Sequence, residues 1–437
     1  MTRSLASLLV AAGICCLTAS PAHAQVPDSP TFSKHIAPLF QEKCEACHRP
    51  DSIAPMSLRT FQESRPWARS IKARVEARQM PPWHIDKTVG IQEFKHDRSL
   101  TDDQIATISR WVDNGAPEGN PKDMPKAREW PDGQMWTYAA MFGQKEPDLI
   151  IRSATWTQKK GLNDTWWKPV VPTGLTEPRW VRAIEVRPGT VKGRKITHHA
   201  NSDLIQDEPG EVTQAGPGRF MEWAVGKEGE IMRPNSGKLM LPGSRIVWDI
   251  HYSASNEDIT DVVEMGIYFY PKGEEPKYRQ HLLRMGRTGD GAIDIPPNSV
   301  AATETYYPLK QAARIESFQP HMHLRGKAMS LEAILPGGQT VILSHVDQFN
   351  FNWHAAYVYA DEAAPLVPKG TVMKITAWHD NTAANKANPD PNVWVGYGDR
   401  TVDEMGHAWV NVTYLTDAEY AAEVAARRAR LTTSGTQ

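Results

Sequence analysis

The sequence has few cysteines, no excess of positive charge and no long apolar segment beyond its N-terminus. Four cysteines in 437 residues are too few for the dense disulfide framework of a small secreted domain. The 49 basic and 51 acidic side chains leave no surplus positive charge to neutralise phosphates, so nucleic acid is not an expected partner. Beyond the N-terminus, no apolar run approaches the roughly 20 residues of a membrane helix. These absences favour a globular protein of about two or three domains.

Residues 1–24 have the order of a secretory signal peptide. Arg3 is followed by an apolar run and then by the small-residue cleavage site Ala22-His23-Ala24. The apolar run is too short to span a bilayer, so we expect an exported, soluble, periplasmic protein. Lipid attachment at Cys15 or Cys16 is a weaker alternative, because the preceding residue is bulkier than such a site prefers.

Two cysteines remain after cleavage, and both lie in the motif Cys44-Glu45-Ala46-Cys47-His48. This spacing provides two thioether anchors and an axial imidazole for one covalently bound haem c. Apolar residues at helical spacing precede the motif, and Thr101 with Gln104 forms a capping box that begins a later helix. We therefore predict a small all-α cytochrome c domain over residues 30–120.

The sixth haem ligand should come from well downstream, so that it reaches the haem face opposite His48. Met80 precedes two prolines in a stiff loop, and methionine opposite histidine raises the reduction potential. Met56 is too close in sequence to cross easily and is expected in the core. His84 and His96 stay as alternatives.

A proline-, lysine- and aspartate-rich linker is predicted over residues 121–144. Beyond it, short alternating runs such as 180–186, 245–250 and 265–270 are separated by glycine and proline. Many short strands with turn signals between them predict antiparallel sandwiches or jelly rolls. An alanine- and arginine-rich helix or tail should close the chain over residues 417–437.

Histidines supply the second metal signal. In a strand, His321 and His323 would point to the same face and meet one metal, while Met322 faces away. The adjacent His198 and His199 would face opposite ways, so joint ligation requires a bend, a strand end or different ring nitrogens. Five other histidines beyond residue 251 are expected to be structural or to support ligands: His281, His345, His354, His379 and His407.

Taken in order, the histidine motifs resemble those of the copper type II monooxygenases, the family of peptidylglycine α-hydroxylating monooxygenase and dopamine β-monooxygenase. The resemblance spans roughly residues 145–416 and includes Ile295-Pro296-Pro297, which is similar to the opening of the family's second domain. The ordered motifs are His198-His199, His251-Tyr252, His321-x-His323 and Asp403-Glu404-Met405.

The resemblance implies two antiparallel β-sandwich (jelly-roll) domains, over residues 145–285 and 286–416, each with one copper ion. It selects His321, His323 and Met405 as the site that binds dioxygen and hydroxylates the substrate. It pairs His198 and His199 with His251 as the site that stores and delivers the second electron. In the family the two coppers face each other across an open, water-filled cleft, and ascorbate is the usual reductant.

The chain departs from the family in three respects. It lacks the disulfide cysteines of the animal enzymes, so packing must hold its halves together. Gln319 stands where the peptide-hydroxylating branch has an arginine for the substrate carboxylate, which argues against a glycine-extended peptide. The fused haem suggests that a periplasmic donor supplies electrons through it and that ascorbate is unnecessary.

The sequence therefore predicts an exported copper-dependent monooxygenase with two copper ions and one haem c, which hydroxylates a C–H bond of a small organic substrate with O2. Two other functions remain open: a haem and copper electron-transfer protein, and an oxidase that reduces O2 without hydroxylation. Met405 favours the monooxygenase, because a protein that only transfers electrons does not need an open, thioether-ligated copper site that can bind dioxygen.

The haem motif generates a direct test. Haem in the mature protein should resist extraction by acidified acetone, because thioether bonds to Cys44 and Cys47 hold it covalently. The absorbance that stays with the protein after extraction measures this. Replacing both cysteines with serine should move the haem into the acetone, and recovery of haem there from the unaltered protein would contradict covalent attachment.

Overall fold

A computed structural model of the chain describes residues 26–434 except 51, 53, 131–135, 209–218, 228, 288 and 290. The predicted signal peptide, residues 1–24, lies outside the described residues. Most of the regular structure is β-strand. None of the helices described is both long enough and apolar enough to cross a membrane.

The helices lie mainly before residue 142. Within the described part of the chain, the α-helices are α1 Ala37–Lys43, α2 Phe61–Ser64, α3 Ala68–Glu76, α4 Asp102–Asp113, α5 Thr137–Met141 and α6 Asp417–Ser434. Single turns of 3₁₀ or π type occupy Phe32–Ile36, Arg65–Trp67, Pro121–Asp123 and Gly193–Lys195. The predicted capping box begins α4: Thr101 Oγ1 accepts from the Gln104 N–H at 3.2 Å, and Gln104 Oε1 accepts from the Thr101 N–H at 2.9 Å.

The helical segment has an apolar core of its own. Phe32 and Phe40 are fully buried, and the ring of Phe32 lies 6.0 Å from that of Trp111 in α4. The N-terminal turn and α4 therefore pack against each other. The final part of the predicted linker is not a linker, because α5 packs on the strands: the N–H groups of Thr137 and Tyr138 donate to the Glu185 carboxylate.

The strands of the first half are β1 Leu149–Arg152, β2 Trp156–Gln158, β3 Thr165–Trp167, β4 Val170–Pro172, β5 Arg179–Pro188, β6 Thr197–Ile205, β7 Arg219–Ala224, β8 Gly229–Ile231, β9 Ser236–Met240, β10 Arg245–Tyr252, β11 Ile259–Asp261 and β12 Val263–Phe269. Strands β1, β12, β5 and β9, with β8, form one layer, and β3, β10, β6 and β7, with β4, form the other. Side chains of both layers share one apolar core, as expected for a sandwich.

The strands of the second half are β13 Tyr278–Arg287, β14 Asp294–Ile295, β15 Val300–Pro308, β16 Ala312–Ile315, β17 Ser317–His321, β18 Gly326–Ile334, β19 Thr340–Val346, β20 Tyr357–Val358, β21 Leu366–Val367, β22 Val372–Asp380, β23 Val395–Gly396 and β24 Gly406–Leu415. One layer is β15, β22, β18 and β19, and the facing layer contains β13, β24, β16 and β17. They enclose a second apolar core.

Strand β13 marks the boundary between the two cores. It pairs with β24 from Gln280 to Arg287, and Leu283 and Met285 belong to the second core. The boundary therefore lies before β13, earlier than the predicted residue 286, because backbone pairing commits the whole strand to one sheet. A short parallel pairing of β13 with β9 joins the two halves edge to edge.

A buried polar network also joins the two halves. Lys227 Nζ lies 3.0 Å from Glu230 and 3.1 Å from the Gln319 side-chain oxygen, which belongs to β17 of the second half. Asn411 of β24 donates to Glu230 at 3.1 Å. Buried charges that are paired and hydrogen-bonded across an interface specify one arrangement, because a shift leaves a charge without its partner.

Residues 83–98, which we call the strap, leave the helical segment and bind the second half. Trp83 and Phe94 join the second core. Isolated bridges pair Ile85 with Val346 and Phe94 with Tyr359. The helical segment is therefore docked by backbone pairing and by buried aromatic rings, and not merely tethered by its linker.

Removing an aromatic side chain from the strap should loosen this docking. Phe94→Ala should lower the free energy of unfolding by about 3 kcal/mol, because the ring is stacked on Tyr359 at 5.3 Å and its deletion leaves a cavity. Urea unfolding, with tryptic cleavage at Lys87 and Lys95 as a local probe, measures the effect.

The matched control for this substitution is Trp394→Ala, since that ring is 63% exposed and its loss should cost less than about 0.5 kcal/mol. Equal stability of the Phe94→Ala protein and the unaltered protein would contradict the docking role of the strap.

Candidate metal centre

A β-bulge brings the adjacent histidines His198 and His199 to the same side of their strand. In the pairing of β6 with β10, His199 is opposite His251, but Tyr252 is opposite Thr197, so His198 is the extra residue. A bulge places two residues against one and re-aims a side chain. The bend that the sequence required for joint ligation is therefore present.

The three imidazoles converge. One ligand nitrogen from each of His198, His199 and His251 lies within 4.8 Å of the others. Nδ1 of His198 and Nδ1 of His199 are buried without a hydrogen-bond partner among the described residues. Nε2 of His251 lies 3.1 Å from an Asp164 carboxylate oxygen. Unpartnered buried nitrogens cost roughly 1–3 kcal/mol each, which a metal ion would offset.

His321 is the last residue of β17, and His323 lies two residues beyond the end of the strand. Their ring centroids are 5.6 Å apart, and Met322 between them is fully buried in the second core. Nδ1 of His323 lies 3.0 Å from the Asp403 carbonyl, and the His323 N–H donates to Glu404. These contacts orient the His323 ring and leave its Nε2 as the available ligand atom.

Met405 lies half-buried in the turn that leads into β24. Nε2 of His379 lies 3.0 Å from the Met405 carbonyl, and the Met405 N–H donates to the Glu404 carboxylate. Hydrogen-bonding contacts therefore engage both the N–H and the carbonyl of Met405, the predicted thioether ligand. Asp403 and Glu404, its neighbours in the sequence motif, contact His323 directly.

The sequence did not single out His354 or His407, yet both lie among the predicted ligands. The ring of His354 is 4.7 Å from that of His321 and 5.4 Å from that of His198. His407 is the cross-strand partner of His321, and the two rings stack at 4.6 Å. For His407 the available signal was its position two residues after Met405, on the strand that pairs with the His-x-His strand. His354 lies in a loop and carried no motif.

We call this set of rings the imidazole cluster: His198, His199, His251, His321, His323, His354 and His407. The predicted histidine sets meet inside it, since the His199 and His321 rings are 6.0 Å apart. Phe351 fills the space between them, stacked on His198 at 4.6 Å and 5.9 Å from His323. At this spacing the rings of the two sets adjoin, whereas the resemblance implies sets that face each other across an open, water-filled cleft.

Burial keeps the cluster imidazoles neutral. Loss of hydration lowers the pKa of His198 and of His323 to about 4, with neighbouring imidazoles adding to the effect. For His199, His321 and His354 the same cause holds the pKa well below its usual value. Neutral imidazole is the form that binds metal, so these groups need release no proton on metal binding.

The Gln319 side chain is hydrogen-bonded within the protein. It is buried and donates to Glu222 at 2.6 Å and to the His354 carbonyl at 3.2 Å, while its oxygen accepts from Lys227. The position that the resemblance assigns to carboxylate recognition is therefore part of the polar network between the halves.

The cysteine motif lies in turns that follow α1. The Cys47 and His48 N–H groups both donate to the Cys44 carbonyl, and Nδ1 of His48 lies 3.2 Å from the Met56 carbonyl. Burial and the neighbouring Cys47 raise the pKa of the Cys44 thiol to about 12. Met56 packs against the helical core, as predicted, and Met80 is half-buried at the end of the loop after α3.

No family model matches the chain, and no curated protein matches it. Among solved structures, it is similar to the VP2 subviral particle of infectious bursal disease virus (9% identity, 68% of this chain and 76% of that chain, TM-score 0.19). It is also similar to an allantoicase (12% identity, 54% and 83%, TM-score 0.17). TM-scores this low carry no argument about fold or function.

The lowered pKa values make the stability of the metal-free protein depend on pH. Below about pH 6.5 the unfolded chain binds protons on its histidines, whereas the folded chain binds none on His198 or His323 until about pH 4. The free energy of unfolding should therefore fall as the pH falls from about 6.5 to about 4, by up to about 1.4 kcal/mol per pH unit for each imidazole.

Thermal unfolding in the presence of a chelator, from pH 8 to pH 4, measures this dependence. The protein with both His198→Asn and His323→Asn should show a shallower fall over the same range. An identical slope in the two proteins would contradict the assignment to these imidazoles.

Proposed function

We propose that the chain is an exported copper-dependent monooxygenase that hydroxylates a C–H bond of a small organic substrate with O2, with electrons supplied through a c-type haem on its N-terminal segment. The observation that carries the proposal is the imidazole cluster. Its two histidine sets follow the order of the copper type II monooxygenase motifs, and several of its buried nitrogens lack partners among the described residues.

The donor atoms fit copper. Imidazole binds copper in either oxidation state, and a thioether favours cuprous copper. We propose that His198, His199 and His251 hold one ion, and that His321, His323 and Met405 hold the other. Copper held there would supply one-electron chemistry for the reduction of dioxygen and the hydroxylation of a C–H bond.

The chain's own residues keep these ligands ready. Burial holds the imidazoles neutral, the Asp403 carbonyl orients His323, and Asp164 lies beside His251. Phe351 and the ring of Trp166, stacked on His251 at 4.5 Å, cover the first set with apolar surface. A covered site of this kind protects reactive species from bulk water.

The cysteine motif fits a c-type haem, and we propose a cytochrome c domain over residues 30–120. Cys44 and Cys47 offer thiols for the thioether bonds, and the Met56 carbonyl holds Nδ1 of His48 so that Nε2 is the available ligand. We retain Met80 as the proposed sixth ligand. Bound haem supplies single electrons to the copper ions.

The contacts of the strap support the haem as an electron inlet. Lys43, next to Cys44, donates to the Asp97 carbonyl at 3.0 Å, and the adjacent Arg98 donates to Gly226 of the first half at 3.4 Å. The ring of Trp353, the neighbour of His354, lies against Gly226. A short series of contacts therefore runs from the cysteine motif to the imidazole cluster.

The proposal predicts a selective loss on ligand substitution. Met405→Ala and His323→Ala should abolish hydroxylation while the haem is still reduced normally, because the haem ligands lie in another segment. Met141→Ala is the matched control, since that side chain is 62% exposed. A screen of small organic substrates with isotopically labelled dioxygen measures both oxygen uptake and transfer of oxygen to product.

Two outcomes of that screen would contradict the proposal. Oxygen uptake by the copper- and haem-loaded protein without label in any product would indicate an oxidase. Normal transfer of electrons from haem to copper without any oxygen uptake would indicate an electron-transfer protein.

A further inference from the structure

His354 occupies the centre of the imidazole cluster although it belongs to no ligand motif. It is 2% exposed and lies in the loop 349–356 that precedes β20. Its Nδ1 is 3.0 Å from Nδ1 of His321, which is a hydrogen-bonding distance. A hydrogen bond between two neutral imidazoles uses one N–H, so one ring donates and the other accepts.

The direction of this bond decides which nitrogen of His321 is free. If His321 donates from Nδ1, its Nε2 carries a lone pair and can bind a metal ion. If His321 accepts at Nδ1, its proton is on Nε2, and neither ring nitrogen is available to bind a metal ion. His323 has the same arrangement, with Nδ1 engaged by the Asp403 carbonyl. Metal-binding histidines almost always donate their second N–H to an acceptor.

We propose that His354 is a positioning residue: it accepts the Nδ1 proton of His321 and so presents Nε2 of His321 to the metal. The inference rests on the proposed function, in that the His321 and His323 set binds copper. A metal-binding histidine usually donates its second N–H to a carbonyl or a carboxylate. Here the imidazole of His354 would be the acceptor.

The position of His354 depends on the opposite sandwich. The Gln319 side chain donates to the His354 carbonyl at 3.2 Å, and the Gln319 amide is itself fixed by Lys227 and Glu222 of the first half. The same loop carries Phe351, which stacks on His198. One loop therefore orients ligands of both sets, and the geometry of the second set depends on the closed arrangement of the halves.

Three substitutions separate positioning from ligation and from general packing. His354→Leu keeps most of the volume and removes the acceptor. His354→Gln retains a side-chain oxygen that can accept from His321. His345→Leu is the matched control, because this histidine packs on Trp378 outside the imidazole cluster.

Cuprous copper affinity of the full-length protein, measured by competition with a chromophoric chelator, should fall about 10–100-fold at one of two sites in His354→Leu. It should be largely restored in His354→Gln and unchanged in His345→Leu. X-ray absorption should count as many imidazoles per copper in His354→Gln as in the unaltered protein. Nitrogen NMR of the cuprous form should show His321 bound through Nε2.

The inference is overturned if His354→Leu binds copper as the unaltered protein does, if His321 is bound through Nδ1, or if His354→Gln loses one imidazole ligand. The last result would make His354 itself a ligand. Failure of the unaltered protein to bind copper would instead overturn the proposed function. Should His354→Leu not fold, His354→Gln with the NMR measurement still decides between the outcomes.

Discussion

The structure depends on one constraint: neutral imidazoles must share a buried volume although several of their nitrogens have no partner among the residues that the structure describes. Such nitrogens are unfavourable in an apolar interior, so the fold must hold the rings together against that cost. A bulge in β6 places His198 beside His199, and His321 ends β17 with His323 two residues beyond it. The unfavourable arrangement supports the proposal that the imidazole cluster binds metal.

Buried polar contacts join the two halves. Lys227, Lys238 and Glu230 form buried ion pairs, and Gln319 and Asn411 join them from the second half. A network of this kind contributes specificity of position more than stability, because burial of the charges costs much of what their attraction supplies. The two histidine sets lie close to this network and adjoin each other, with the His199 and His321 rings 6.0 Å apart.

The short distance between the two histidine sets affects how an electron would pass from one set to the other. An electron that passes between two metal sites separated by water must cross solvent. Here a ring of one set, His199, lies 6.0 Å from a ring of the other, His321. The strap fixes the cysteine motif on the same body, so the helical segment is positioned by contact as well as by its linker. Under the proposed function, the strap would therefore hold the haem segment at a fixed position relative to the imidazole cluster.

How much of this could be predicted differs from residue to residue. The capping box at Thr101 and the outward and inward alternation around Met322 follow from local rules, because short-range hydrogen bonds and strand periodicity decide them. Local patterns do not locate the end of the linker, where α5 packs on the strands, or the start of the second half, which begins with β13. The packing of α5 on Glu185 and the pairing of β13 with β24 involve residues distant in sequence, which no local pattern reports.

By itself, the sequence determined the order of the ligand motifs, the cysteine motif, the strand-rich second part and the need for a bend at the adjacent histidines, since each is set by spacing along the chain. Only the tertiary structure decided that the bend is a bulge opposite His251, that Gln319 serves the interface, and that His354 joins the cluster. His354 lies in a loop, where neither periodicity nor a motif fixes the direction of a side chain. Its place is decided by packing between two sandwiches, and that information exists only once both are folded.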